Sequence, residues 1–150
     1  MEDSSLVARK LFNAQRRLVA APAYLNTHPK KPASPNDLSA WNWLLFAPVK
    51  RQKLVFHKAG KQQIVAQPES RITVNDTYAL SQLARAGAGL AIIPEFVADA
   101  AVAAGDLQYV LPEWEIQSIP VYAVWPANVP KYGLVKHFTR FIADQTKSKT

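Results

Sequence analysis

The sequence predicts an α/β fold with mainly parallel strand pairing. Three observations carry this expectation. Short apolar runs, "RLVAAP", "WLLFAP" and "LAIIP", are each closed by proline, as strands buried on both faces are. They alternate with segments whose apolar residues recur at helical spacing, the order that builds α/β sheets. Hydrophobic residues make up 49% of the 150, enough for the core of one domain.

Each element has its own signal. Arg17–Pro22 reads as a short buried strand. Pro22–His28 ("PAYLNTH") reads as a single helical turn with Pro29 beyond it, and "KKPASPND" as a loop. Ser34 suits the cap of the next turn, with Pro35 at the first helical position, where a missing N–H costs nothing. Trp43–Pro48 is another apolar strand, and Lys53–Gln67 is a hairpin around Ala59-Gly60-Lys61. Arg71–Val74 has the β-branched character of a strand. Asn75 or Asp76 caps the helix that follows, in which Leu80, Leu83, Ala84 and Gly87 share one face. Gly87 or Gly89 supplies the left-handed residue that ends it. Leu90–Ile93 is a buried strand, "EFVADAAVAAG" a second helix, and "LQYVL" and Ile119–Trp125 are strands. A last helix, from about Pro130 to Ala143, is expected to bury Leu134, Val135, Phe138, Phe141 and Ile142.

Composition narrows the function. The net charge is +7, and residues 1–61 hold 11 of the 18 basic residues against 3 of the 11 acidic ones. Such a basic half invites a nucleic-acid reading. However, Lys30-Lys31 and Lys50-Arg51 with Lys53 lie in proline-flanked loops, without the interleaved aromatics of a single-strand platform. There is no cysteine, hence no disulfide framework or thiolate metal site. "MEDSSLVARKLF" is polar and broken by charge, unlike a signal peptide, and no apolar run approaches the roughly 20 residues of a membrane helix. A cytoplasmic chain without membrane association is expected.

Enzyme readings find little support. His28, His57 and His137 fall in separate predicted elements, and no His/Asp/Glu group has metal-ligand spacing. No G-x-S-x-G, G-x-G-x-x-G or P-loop occurs. Glu113 and Glu115 flank Trp114 beside Pro112 and fit an exposed loop better than a catalytic pair. Neither catalysis, nor a metal, nor a cofactor is expected.

The stretch "TVNDTYAL" carries the strongest positive signal. A strand that turns directly into a helix puts the helix N-terminus at the carboxyl end of the strand. Ligands of open α/β sheets bind at that end, and the free N–H groups and dipole there favour negative charge.

Several ordered stretches then resemble one family. "LVAAPAYLNTHPKKPASPNDLSAW", "RITVNDTYALSQLARAGAGLAIIPEFVADAAVAAGDLQYVLPEW" and "IPVYAVWP" are similar to the effector-binding domain of LysR-type transcriptional regulators, over about Leu6 to Ala143. The matching features are Val-Asn-Asp at the helix start, the Gly87-Ala88-Gly89-Leu90 turn, the Ile93-Pro94 exit, Gly105-Asp106-Leu107 and the Pro-Val-Tyr-Ala-Val return strand.

The resemblance implies a type 2 periplasmic-binding-protein-like α/β architecture. Two subdomains are joined by crossing strands, with a small-molecule effector in the cleft between them. Residues 18–118 would form a complete subdomain II, a mixed sheet flanked by helices. Residues 1–17 would be a remnant of subdomain I with one crossing strand, and residues 119–150 its return strand and C-terminal helix. The family's winged helix-turn-helix and the first half of subdomain I would lie outside these 150 residues.

Carried over position by position, the ligand-binding residues would be Asn75, Asp76 and Thr77, then Ala21 and Pro22, then Ala47 and Pro48. The family often has a hydroxyl near the Ala21 position; its absence here counts against a small inorganic or strongly anionic effector. The function implied is an effector-sensing regulatory domain taking a small organic metabolite. The alternative is a free-standing solute-binding fragment with no transcriptional role. A homodimer is expected, as is no specific DNA binding by this chain alone.

Overall fold

A computed structural model describes residues 6–49, 53–65, 70, 72–127 and 133–147. The chain divides into two compact units, Gln15–Gln117 and the pair of segments Met1–Ala14 and Ser118–Thr150.

The unit of residues 15–117 is built on a mixed sheet. Its strands are β2 (Arg16–Ala20), β3 (Leu44–Phe46), β6 (Ile72–Val74), β7 (Ala91–Pro94) and β8 (Gln108–Tyr109). β3 pairs in parallel with β6, Leu44 opposite Ile72 and Phe46 opposite Val74. A parallel bridge between Trp43 and Leu90 joins β3 to β7. Two hydrogen bonds make that bridge, Leu44 N–H to Leu90 O at 2.8 Å and Leu90 N–H to Asn42 O at 2.9 Å. β2 runs antiparallel to both β7 and β8. The spatial order is therefore β6-β3-β7-β2-β8.

In this sheet parallel and antiparallel joins are equal in number, and over all the described strands antiparallel pairs predominate, which corrects the expectation of mainly parallel pairing. A proline-closed apolar run reports burial on both faces but carries no information about direction. Direction follows from the connections. A crossover helix links β6 to β7, whereas β2 precedes both in the chain and runs against β7.

A second, antiparallel sheet has the order β5-β4-β9, from β4 (Leu54–Lys58), β5 (Lys61–Val65) and β9 (Glu115–Ile116). β4 and β5 are the expected hairpin. Ala59 and Gly60 both have positive φ, 47° and 76°, as the two-residue turn that matches strand twist requires. The run "LQYVL" contributes only the two residues of β8. Glu115, expected in a loop, lies in β9 opposite His57.

Four α-helices lie among the described residues, and α1 (Pro22–Leu25), α2 (Thr77–Arg85) and α3 (Glu95–Ala103) belong to this unit. α2 buries Leu80 and Ala84, with Leu83 packed at the edge of the core. Its C-terminus closes with Gly87 N–H on Ala84 O at 3.0 Å and Ala88 N–H on Leu83 O at 3.1 Å. This pairing needs a left-handed residue, and Gly87 supplies it with φ 79°. Gly89 has a different role. A Cβ there would lie 2.7 Å from the Asn42 carbonyl oxygen, so only glycine lets the chain approach the β3 entry and form the Trp43–Leu90 bridge. Leu18, Val19, Leu38, Trp43, Leu44, Phe56, Leu80, Leu90, Ile93 and Leu107 fill the core. Each such large side chain gains about 1.5–3 kcal/mol over an exposed one.

The other unit pairs β1 (Leu6–Ala14) antiparallel with β10 (Ile119–Pro126), Leu6 opposite Pro126 and Ala14 opposite Ile119. Helix α4 (Leu134–Lys147) packs on β1. The expected start at Pro130 lies outside the described residues, as does the side chain of Val135. Thr139 is buried and Ile142 half-buried, but Leu134, Phe138 and Phe141 are exposed. Their expected burial is therefore corrected. A two-stranded ribbon is too narrow to cover the whole apolar stripe of a 14-residue helix.

Candidate functional site

Strand direction decides which of the seven residues expected to bind ligand lie together. β3, β6 and β7 run the same way, so their carboxyl ends share one edge of the sheet. Phe46 pairs with Val74, which sets Ala47 and Pro48 beside Asn75 and Asp76. Thr77 opens α2 directly afterwards. Five of the seven residues thus form one rim.

Ala21 and Pro22 do not join them. β2 is antiparallel to β7, so its end at Ala20 lies at the amino end of β7. Ala21 is buried there and Pro22 opens α1. The Tyr24 hydroxyl accepts from the Asn42 N–H at 2.9 Å, which ties α1 to the entry of β3. His28 stacks on Trp41 at the same end, ring centroids 3.8 Å apart.

On the rim, Asp76 is the helix cap. Its backbone is extended, and its carboxylate accepts the Ala79 N–H at 2.7 Å. The Asn75 side chain is exposed and makes no hydrogen bond to a described residue. Thr77 is half-buried. It and the exposed Tyr78 occupy the first turn, where backbone N–H groups lack intrahelical acceptors. Ala47 and Pro48 lie in a 3₁₀ turn, Ala47–Val49, with no polar side chain of their own. The rim therefore offers amide donors, the Asn75 carboxamide, the Asp76 carboxylate and the hydroxyls of Thr77 and Tyr78 above an apolar shoulder.

The sequence did not single out the charges at the same edge. Arg16 is paired with Pro94, the last residue of β7, and so begins β2 at this end. Its Nε and Nη2 donate to the Gln117 carbonyl at 3.1 and 2.6 Å. Burial pulls its pKa below the ordinary arginine value. Arg17 bonds the Glu95 carboxylate through Nε at 2.9 Å and Nη2 at 2.6 Å. Its guanidinium lies 6.0 Å from the Tyr109 ring centroid. The Tyr109 hydroxyl donates to Asp99, and that bond raises the phenol's pKa. The signal in the sequence was the Arg-Arg pair opening an apolar strand.

Among the described residues no three His, Asp or Glu side chains are placed to hold a metal ion. No described helix is long and apolar enough to cross a membrane.

A mixed sheet with the N-termini of α2 and α3 at one edge is the arrangement of an open α/β module, the class of fold in which ligands bind at that edge. The chain belongs to the LysR substrate binding domain family, which matches residues 2–147. It is 34% identical over 126 residues to an uncharacterized HTH-type transcriptional regulator of Haemophilus influenzae, covering 84% of this chain and 43% of that protein. It is 31% identical over 129 residues to the HTH-type transcriptional activator AaeR of Escherichia coli, covering 83% and 40%. Among solved structures it is similar to the regulatory domain of CrgA, a LysR-type transcriptional regulator from Neisseria meningitidis. That likeness has a TM-score of 0.73 and 25% identity over 97% of this chain and 71% of that one. The regulatory domain of AphB in Vibrio vulnificus gives a TM-score of 0.68 and 25% identity, over 97% and 70%. The chain spans less than half the length of these curated relatives.

Proposed function

We propose that this chain is the effector-sensing portion of a cytoplasmic LysR-type regulator, without catalytic activity of its own. Its ligand, a small organic metabolite, meets the rim formed by Ala47, Pro48 and Asn75–Thr77. Residues 18–118 serve as the effector-binding subdomain, and residues 1–17 and 119–150 belong to the other subdomain. Ligand occupancy is passed to a DNA-binding domain that these residues do not include, and the regulator acts as a homodimer. The observation that supports this reading best is the convergence of five site residues at the carboxyl edge, in a chain of the LysR substrate binding domain family.

Asp76 takes the capping role, so Asn75 is free to be tested for ligand contact alone. In a thermal-shift screen of small metabolites, at least one should raise the Tm of the chain. A ligand at a hundredfold excess over Kd adds about 2.7 kcal/mol. Asn75→Ala and Thr77→Val should remove that rise and leave the unliganded Tm near wild type. An undiminished rise in both variants would move the ligand away from this rim.

A further inference from the structure

We infer that Arg16 is a clasp that ties together the two passes of chain between the compact units, at the point where those passes part. The clasp goes beyond the functional reading above and does not depend on where a ligand sits.

The chain passes between the units twice, from Ala14 to Gln15 and from Gln117 to Ser118. On one side of that boundary the two passes form an antiparallel ribbon, whose last pair is Ala14 opposite Ile119. On the other side they go to different sheets. The Gln15 carbonyl accepts the Glu95 N–H at 3.0 Å, just past the end of β7. The Gln117 N–H donates to the Val55 carbonyl of β4, also at 3.0 Å. β2 and β9, the strands next to these anchors, lie in the separate orders β7-β2-β8 and β5-β4-β9. Among the described residues no strand pairing joins β2 to β9. A fork with no ladder between its arms opens locally unless a side chain spans it.

Arg16 spans it. Its backbone belongs to β2, and its Nε and Nη2 both donate to the Gln117 carbonyl, at 3.1 and 2.6 Å. Two donors on one acceptor fix the orientation of the guanidinium as well as its distance. A charged donor also makes a stronger hydrogen bond than a neutral one. The bond joins residues 101 positions apart, and with it both polar groups of the Gln117 backbone are held, the N–H by β4 and the carbonyl by β2. Arg17 cannot substitute, because its guanidinium is paired with Glu95 of α3. Closed, the clasp makes the two passes move as one. Open, each follows the sheet to which it is anchored. Bending is thereby confined to the few residues at the boundary, as in hinges built from the ends of elements.

Native-state hydrogen exchange on the intact chain, labelled with nitrogen-15, reads the clasp. Two amides report on the fork, Glu95 N–H on Gln15 O and Gln117 N–H on Val55 O. A third, Asn42 N–H on the Tyr24 hydroxyl, reports on the far end of the sheet. Arg16→Gln should speed exchange at both fork amides about tenfold or more, the change expected for losing one charge-assisted hydrogen bond, and leave Asn42 as in wild type. Arg16→Lys keeps the charge but not the planar pair of donors, and should give a smaller rise at the same two amides. Arg17→Gln removes an ion pair from the same strand, and should leave the Gln117 amide unchanged. If Arg16→Gln fails to fold, Arg16→Lys is read by the same criteria. Unchanged exchange at the fork, a rise at Gln117 without one at Glu95, or an equal rise at all three amides would each overturn the inference. The last of these would make Arg16 a general stabiliser. No ligand enters the measurement, so its failure would leave the functional reading standing.

Discussion

At the scale of single residues, Asn75 and Asp76 show what one position of difference does. Both can cap a helix, so the sequence alone left the choice open. The structure gives it to Asp76, whose extended backbone aims the carboxylate at the Ala79 N–H. Asp76→Ala should cost about 0.5–2 kcal/mol in urea unfolding, and Asn75→Ala a few tenths at most. Equal losses would show that the cap is shared. Gly89 allows a second prediction. Its missing Cβ makes room for the Asn42 carbonyl, so Gly89→Ala should cost roughly 1–3 kcal/mol, as forced overpacking does. An alanine variant as stable as wild type would mean that the Asn42 loop yields at no cost. Arg16 was less legible than either. Its sequence neighbour Arg17 looks identical, and what separates them is Glu95, 78 positions further along.

Among the elements, those with strong local patterns were legible and those defined by distant partners were not. Periodicity and punctuation sufficed for α2, α3 and the β4–β5 hairpin. β9 is two residues long and exists because Phe56 and His57 lie opposite it, which no local pattern announces. The 3₁₀ turn Pro35–Ala40 is intermediate. Pro35 at its first position was readable, but its entry is organised by Asp37, whose carboxylate accepts the Ala33 and Ser34 N–H groups at 2.9 Å each. Those bonds hold the Asp37 carboxyl below its ordinary pKa of 3.8. A lowered pKa stabilises the fold above the unfolded value and is lost as pH falls through the folded one. The turn should therefore loosen at the acid end of the range. An NMR titration of the Asp37 carboxyl should show a midpoint below 3.8. Asp37→Asn should remove that part of the acid dependence, and a midpoint at or above the ordinary value would contradict the assignment.

For the whole molecule, the apolar side of α4 has the largest consequence. Leu134, Phe138, Phe141 and Val124 are 89, 62, 60 and 56% exposed. They help line an open groove of about 710 Å³ with Trp125 and His137. Monomers rarely leave that much contiguous apolar surface in water. Light scattering on the 150-residue chain should show a mass that rises with concentration, and Phe138→Ser should reduce the rise. A monomer mass throughout would remove the case for self-association. A basic chain of this kind should also bind DNA weakly, without sequence preference, and lose that binding steeply with salt. Tight, sequence-selective binding at physiological salt would contradict the family reading. The bridge between Trp43 and Leu90 has a consequence of another kind, in time rather than in space. Two amides, Leu44 and Leu90, stitch the β6–β3 pair to the rest of the sheet. A seam that narrow can part while the strands on either side stay paired. In native-state hydrogen exchange, these two protons should trade with solvent together and at one shared opening energy, below that of the β2–β7 amides. The rim bearing Asn75 would then move only as far as α2, which packs on both β3 and β7 across that seam, allows.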